Sequence, residues 1–200
     1  MCLVVKLGID GGIEYMREID VIRVVVNNMI EGIMFHNQMI QYFEYLGLKG
    51  FSDLQKIRFE GENKDLVELQ RYVIDTYGVV VGETNPDSRS YIPAEWGEEL
   101  RERIDVDNRK DYVRFGIETW KYWEDKSKKV YGNAYFNLND LRDAGGSERI
   151  LKVVEGTEKE LHFVYDLMCK LKGSEYDSVV VSLMDKDVVK MYEKFWKKER

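Results

Sequence analysis

The sequence predicts an all-α fold: a four-helix bundle with one long crossover connection and an additional short helix at the C-terminus. Three observations carry this. Four long stretches repeat apolar residues at three-and-four spacing, the period of a helix with one buried face. The two prolines, Pro86 and Pro93, both fall in one turn-rich stretch between the second and third of these. The chain has 200 residues, 44% of them hydrophobic, enough for a core and too apolar for a disordered tail. One domain is expected over 1–200, with the bundle at about 20–172, an N-terminal extension at 1–12 and the last helix at about 185–198.

In order, residues 3–7 (LVVKL) read as a short strand or an ordered tail, broken by Gly8, Gly11 and Gly12. The first helix spans about Ile13 to Gly47, with Ile22, Val26, Met29, Ile33, Met39/Ile40 and Phe43 on its stripe. Its β-branched run Val24–Val26 is a poor local helix former. LGLKGF turns the chain. Ser52 with Asp53 reads as the start of a second helix that stops at Gly78. GETNPDSRS is a turn-rich connection, with a short helix expected near Ala94–Arg103, and its length suits a crossover. The third helix runs from about 108 to 133, or on to Leu141. DAGGS breaks it, with Ser147 as the next cap. The fourth helix covers about 148–172, and Asp185 caps the last. The VVVSLM stretch between them fits strand or helix.

Composition closes several function classes. Two cysteines, Cys2 and Cys169, cannot build a disulfide framework or a cysteine zinc site, and two histidines, His36 and His162, exclude a histidine-rich metal site. A net charge of -7 argues against nucleic acid as partner. The N-terminus lacks a basic n-region and long apolar core, so no signal peptide is read. The longest apolar run, Val21 to Phe43, carries Arg23, Glu31 and His36, so no membrane span is expected. A soluble, cytoplasmic protein fits best. Phosphate-binding glycine loops, HExxH and GxSxG are all missing.

The informative residues are polar ones on apolar stripes. Glu62 and Asp65 sit one turn apart on the second helix, on the face of Leu54, Arg58 and Leu69. Glu124 interrupts the third stripe, Thr157 and Glu160 the fourth, and His36 the first. Buried carboxylates are costly unless paired or bound to a cation, so coincident exceptions on four helices point to one shared polar centre. Three or four carboxylates with an imidazole suit iron, manganese or zinc. Each residue also has a plainer reading. Glu62 and Asp65 can pair with Arg58 or Lys56 at a helix margin. Glu124, followed by Asp125, Lys126 and Lys128, can belong to a solvated face. His36 can be a hydrogen-bonded core histidine. His162 reads as a surface or packing residue, Cys169 as filler, and Tyr42, Tyr45, Trp120 and Trp123 as core.

Across about residues 20–172 the pattern resembles the ferritin-like family. YFEYLGLKGFSDLQKIRFEGENKDLVELQRYVIDTYGVVV is similar to the end of ferritin helix A, the turn and helix B. GVVVGETNP resembles the start of the B–C connection. IETWKYWEDKSKKVY is similar to helix C, and ERILKVVEGTEKELHFVYDLMCKLKG to helix D. The last helix would match helix E. The helix-B signature, Glu followed three residues later by His, falls on Glu62 and Asp65, so the histidine is replaced. The helix-C ligand falls on Glu124, and the helix-D polar positions on Thr157 and Glu160. The helix-A ligand falls near Met29, with Glu31 off the face, and His36 stands where many ferritins have a tyrosine. The resemblance implies a bundle whose diiron site is either rewired, with His36 as nitrogen ligand, or lost. Two functions follow. In one, His36, Glu62, Asp65, Glu124 and Glu160 hold iron or manganese, with ferroxidase-like chemistry if the site is intact. In the other, the chain is a non-catalytic homo-oligomeric scaffold or binds a protein partner through its aromatic residues, Trp96 and Trp196 among them.

Overall fold

The computed structural model describes residues 5–7, 13–15, 17–82 and 109–198. The glycine-broken N-terminus beyond its two strands, Cys2, both prolines, GETNPDSRS, Trp96 and the expected helix at Ala94–Arg103 lie outside the described residues. Strand β1 (Val5–Leu7) pairs antiparallel with β2 (Ile13–Tyr15), so the expected strand exists as half of a small hairpin. Among the described residues five helices follow: α1 (Glu18–Tyr45), α2 (Lys49–Tyr77), α3 (Arg109–Asp140), α4 (Ala144–Gly173) and α5 (Ser178–Lys198).

In α1 the buried positions run Ile22, Val25/Val26, Met29, Phe35/His36, Met39 and Tyr42/Phe43, the three-and-four pattern of the sequence. Val25 and Val26 are buried while Val24 faces out, so packing of the stripe overrides the poor propensity of the run. Gly47, at φ +69, makes the turn that sends α2 back along α1. The helix starts differ from expectation at four places. Ile13–Tyr15, expected to open the first helix, is strand β2, and α1 begins only at Glu18. Leu48, not Ser52, precedes the first turn of α2; Ser52 is buried and donates its hydroxyl to Glu44 Oε1. Asp143, not Ser147, caps α4, accepting from the Gly146 N–H at 2.9 Å. Asp177 accepts from the N–H groups of Val179 and Val180, so α5 begins two turns before Asp185 and includes all of VVVSLM.

Interhelix bonds fix the directions. Tyr72 and Tyr77, at the end of α2, donate to the two oxygens of Asp143 at the start of α4, at 2.8 and 2.7 Å. Arg109, at the start of α3, donates to Leu46 O at the turn between α1 and α2. Helices α2 and α3 therefore run parallel, α2 being about 43 Å long for its 29 residues. Helix α1 packs on α2 and α3, α3 on α4, and α5 lies over α2 and α4. Two apolar clusters fill the interior. One is centred on Phe35, Phe43, Trp120, Trp123 and Phe163, the other on Ile22, Val26, Leu69, Tyr131 and Ile150. The polar centre lies between them. Among the described residues no helix is long and apolar enough to cross a membrane.

Candidate functional site

Four helices each bring one ionisable residue to the middle of the bundle: His36 from α1, Glu62 from α2, Glu124 from α3 and Glu160 from α4. His36, Glu124 and Glu160 are fully buried and Glu62 is 8% exposed. The stripe residues thus converge, but not alone. Arg58, one turn before Glu62, enters the same space with 12% of its side chain exposed. Its Nε lies 3.2 Å from Glu160 Oε1, and its Nη2 lies 3.7 Å from Glu124 Oε1 and 4.0 Å from Glu62 Oε1. His36 Nε2 faces the same two oxygens, 3.6 Å from Glu62 and 3.9 Å from Glu124. The result is an alternating ring in which His36 and Arg58 each stand beside both Glu62 and Glu124, with Glu160 on the far side of the guanidinium.

Neighbours orient the ring. Gln55 Oε1 sits 2.7 Å from His36 Nδ1, which places the ring proton there and turns Nε2 inward. Trp120 Nε1 donates to Glu124 Oε1 at 3.1 Å, and Tyr192 of α5 donates to Glu160 Oε2 at 2.9 Å. Gly32 of α1 gives Glu62 its room: a β-carbon there would overlap the Glu62 carboxylate.

Three carboxylates against one permanent cation leave the centre short of positive charge, and its titrations answer that. Burial raises Glu124 to about 7 despite Arg58, and raises Glu160 above the usual carboxylate range. At His36 burial opposes protonation, but the Glu62 carboxylate outweighs it and the imidazole holds its proton more tightly than usual. Burial likewise works against the Arg58 charge and is overcome, chiefly by Glu160.

Other candidates stand elsewhere. Asp65 is exposed one turn beyond Glu62, at the rim of a cavity of about 70 Å³ also lined by Met29, Arg58, Glu62, Thr157 and Trp196. Glu31 points away and pairs with Lys126 at 3.0 Å. Met29, where the resemblance sought an acidic ligand, is buried. Thr157 is buried beside the cavity, and His162 and Cys169 are exposed. In the sequence Arg58 stands only as a marginal partner of Glu62 and Asp65, not as the counter-ion of three helices, and neither Gln55 nor Tyr192, which hold His36 and Glu160, is singled out. The signal for Arg58 was its place four residues before Glu62, the spacing of helical neighbours.

The donor set does not fit a metal pair as it stands. Oε1 of each buried carboxylate lies within 4.0 Å of a guanidinium nitrogen. Among the described residues no group of three or more His, Cys, Asp or Glu side chains closes into a metal cluster. The centre also carries buried polar atoms without a hydrogen-bond partner: His36 Nε2, Arg58 Nε, Glu62 Oε2, Glu124 Oε2 and Glu160 Oε1.

No family model and no curated protein matches the chain in sequence. Solved structures do match in shape. An open-pore ferritin from the hyperthermophilic archaeon Archaeoglobus fulgidus superposes with TM-score 0.65 at 18% identity, over 85% of this chain and 94% of that one. A humanized archaeal ferritin, and a closed form of the Archaeoglobus fulgidus ferritin engineered by site-directed mutagenesis, each give 0.67 at 17% identity, over 85% of this chain and 93% of theirs. At that identity the likeness concerns the backbone, and with the parallel α2 and α3 and the four-helix centre it establishes the architecture: the chain folds as a ferritin-like four-helix bundle with an additional C-terminal helix.

Proposed function

We propose that this protein is a homo-oligomeric, non-catalytic scaffold on the ferritin-like fold, its polar centre neutralised from within. The observation that supports this is Arg58, whose guanidinium stands among three carboxylates from three helices. A guanidinium there joins α2 to α3 and α4 and gives the carboxylates part of the counter-charge that burial demands, protons held on Glu124, Glu160 and His36 supplying the rest. Exposed aromatic residues on α3, Tyr122 and Phe136 at 68% and 66%, lie four turns apart on one face and favour self-association.

A second reading keeps a divergent iron or manganese site on His36, Glu62, Glu124 and Glu160, with Asp65 at the entrance. The orphaned buried atoms favour it, and so does the missing positive charge, which a divalent cation could supply in place of protons. On this reading His36 and the carboxylates would hold the ion, and the ion would supply Lewis-acid or redox chemistry.

One experiment separates the readings. The purified protein is incubated anaerobically with Fe(II) or Mn(II), desalted, and analysed for metal and for mass in solution. The scaffold reading expects background metal and a mass several times the 23.6 kDa chain. Metal retained in proportion to chain overturns it in favour of the second. A metal-free monomer overturns both.

A further inference from the structure

We propose that α5 is an exchangeable arm: it crosses from one copy of this chain to a second copy, takes the same place over that copy's α2 and α4, and so joins the two. This joint rests on the homo-oligomeric reading above and says which element holds two copies together. The turn between α4 and α5, residues 174–177, carries it. Glu175 and Tyr176 stand side by side at φ +53 and +56, the left-handed region that residues with a β-carbon avoid. A short turn under such strain favours exchange of the element that follows it. Opening the turn releases the strain, while the docking contacts are remade on the second copy.

The arm fits its seat by specific contacts and is held there lightly. Among the described residues of α5 only Val181, Val188 and Tyr192 are buried. Asp185 Oδ1 accepts the Phe51 N–H of α2 at 2.9 Å, and Tyr192 donates to Glu160 Oε2 of α4 at 2.9 Å. Gly50 leaves room for the Asp185 backbone. Leu48 gives α2 no side-chain cap of its own, so the carboxylate of the arm supplies one from outside. These contacts identify the occupant of the seat as an α5, and a second copy offers the identical seat. Val179 and Leu183, one turn apart at the hinge end of the arm, stay 64% and 58% exposed against their own body. In a symmetric exchange the two arms cross at their hinge ends, where each covers the apolar pair of the other.

The test places one thiol on α4 and one near the end of α5, by Lys159→Cys with Trp196→Cys in a chain carrying Cys2→Ser and Cys169→Ser. The two parent side chains lie together, Lys159 Nζ being 5.5 Å from the Trp196 ring. A bis-maleimide joins the thiols, and mass spectrometry reads the denatured product. Exchanged arms give two chains linked to each other; a closed arm gives a single chain of 23.6 kDa linked to itself. Glu175→Gly relieves the exposed one of the two strained positions and is expected to weaken pairing at least about fivefold. Inserting Gly-Ser-Gly-Ser after Ser174 lengthens the turn and should leave self-linked single chains. The unaltered chain gives a second measurement, which decides if the substituted chain does not fold. Light and isotope-labelled chains are refolded together and cross-linked between Lys159 and Lys197, and exchange pairs heavy with light in the linked peptides. Self-linked single chains from a protein whose mass in solution is several times that of the chain overturn the inference and leave the scaffold reading standing. A single-chain mass in solution overturns both. Two-chain products that Glu175→Gly and the insertion leave undiminished come from neighbouring copies with closed arms, and overturn the inference.

Discussion

Arg58 Nε lies 3.2 Å from Glu160 Oε1, and this one pair joins α2 to α4 inside the bundle. The contact is one of charge, since neither atom makes a directed hydrogen bond. Removing one partner leaves the other buried and uncompensated. Glu160→Ala is expected to lower unfolding free energy by about 3–5 kcal/mol. Arg58→Met with Glu160→Gln should lose less than the sum of the two single changes, because the double variant removes both charges. Urea unfolding of the four proteins measures this; strict additivity would show the two side chains to be energetically independent.

The same centre makes stability depend on pH in a definite direction. Glu124 titrates near 7 in the folded chain, above its unfolded value of 4.5, because burial disfavours the carboxylate. A group raised in this way stabilises fully below its unfolded value, and that contribution is lost as pH rises through the folded one. His36, also raised, acts in the same sense above its ordinary value of 6.5. The melting temperature should therefore fall between about pH 5 and pH 8, and Glu124→Gln should flatten the slope. A Glu124→Gln profile parallel to wild type would contradict the assignment.

Gly32 is the position at which α1 admits the Glu62 carboxylate. A methyl group there would overlap Glu62 Oε2, so Gly32→Ala must push Glu62 out of the ring. Overpacking at such a site costs about 1–3 kcal/mol. Gly32→Ala combined with Glu62→Ala should cost less than the two changes summed, which thermal unfolding can read.

The stripe pattern made most of this centre legible. His36, Glu62, Glu124 and Glu160 each interrupt a run of residues that the fold buries, and periodicity alone brings them together. Asp65 was drawn in by its three-residue spacing from Glu62. Yet the buried face of α2 continues through Leu66, Leu69 and Val73, and position 65 lies about 60° to the side of Glu62. Arg58 shares the face of Glu62, but its default reading is a solvated partner, and only three dimensions show carboxylates from α3 and α4 closing on it. Tyr192 was harder still. It sits on a helix whose docking depends on contacts about 135 residues away in sequence, such as Asp185 Oδ1 accepting from the Phe51 N–H at 2.9 Å. Local cap chemistry misplaced Ser52, Ser147 and Asp185 because other residues, at 48, 143 and 177, begin those helices.

Two glycines of α2 give opposite expectations from the same substitution. Gly61 has nothing within 4 Å of where a β-carbon would stand, so Gly61→Ala removes backbone freedom from the unfolded chain at no steric cost. It should raise stability by about 0.5–1 kcal/mol. Gly50 lies against the backbone carbonyl of Asp185, where a β-carbon would overlap an atom that cannot rotate away. Gly50→Ala should lift α5 from the N-terminal end of α2, weaken the Asp185 bond to Phe51, and loosen Tyr192 from Glu160. Amide hydrogen exchange should then accelerate across Ser178–Lys198 in Gly50→Ala and stay at wild-type rates in Gly61→Ala. Equal protection of α5 in both variants would mean that its docking does not depend on the close approach at Gly50.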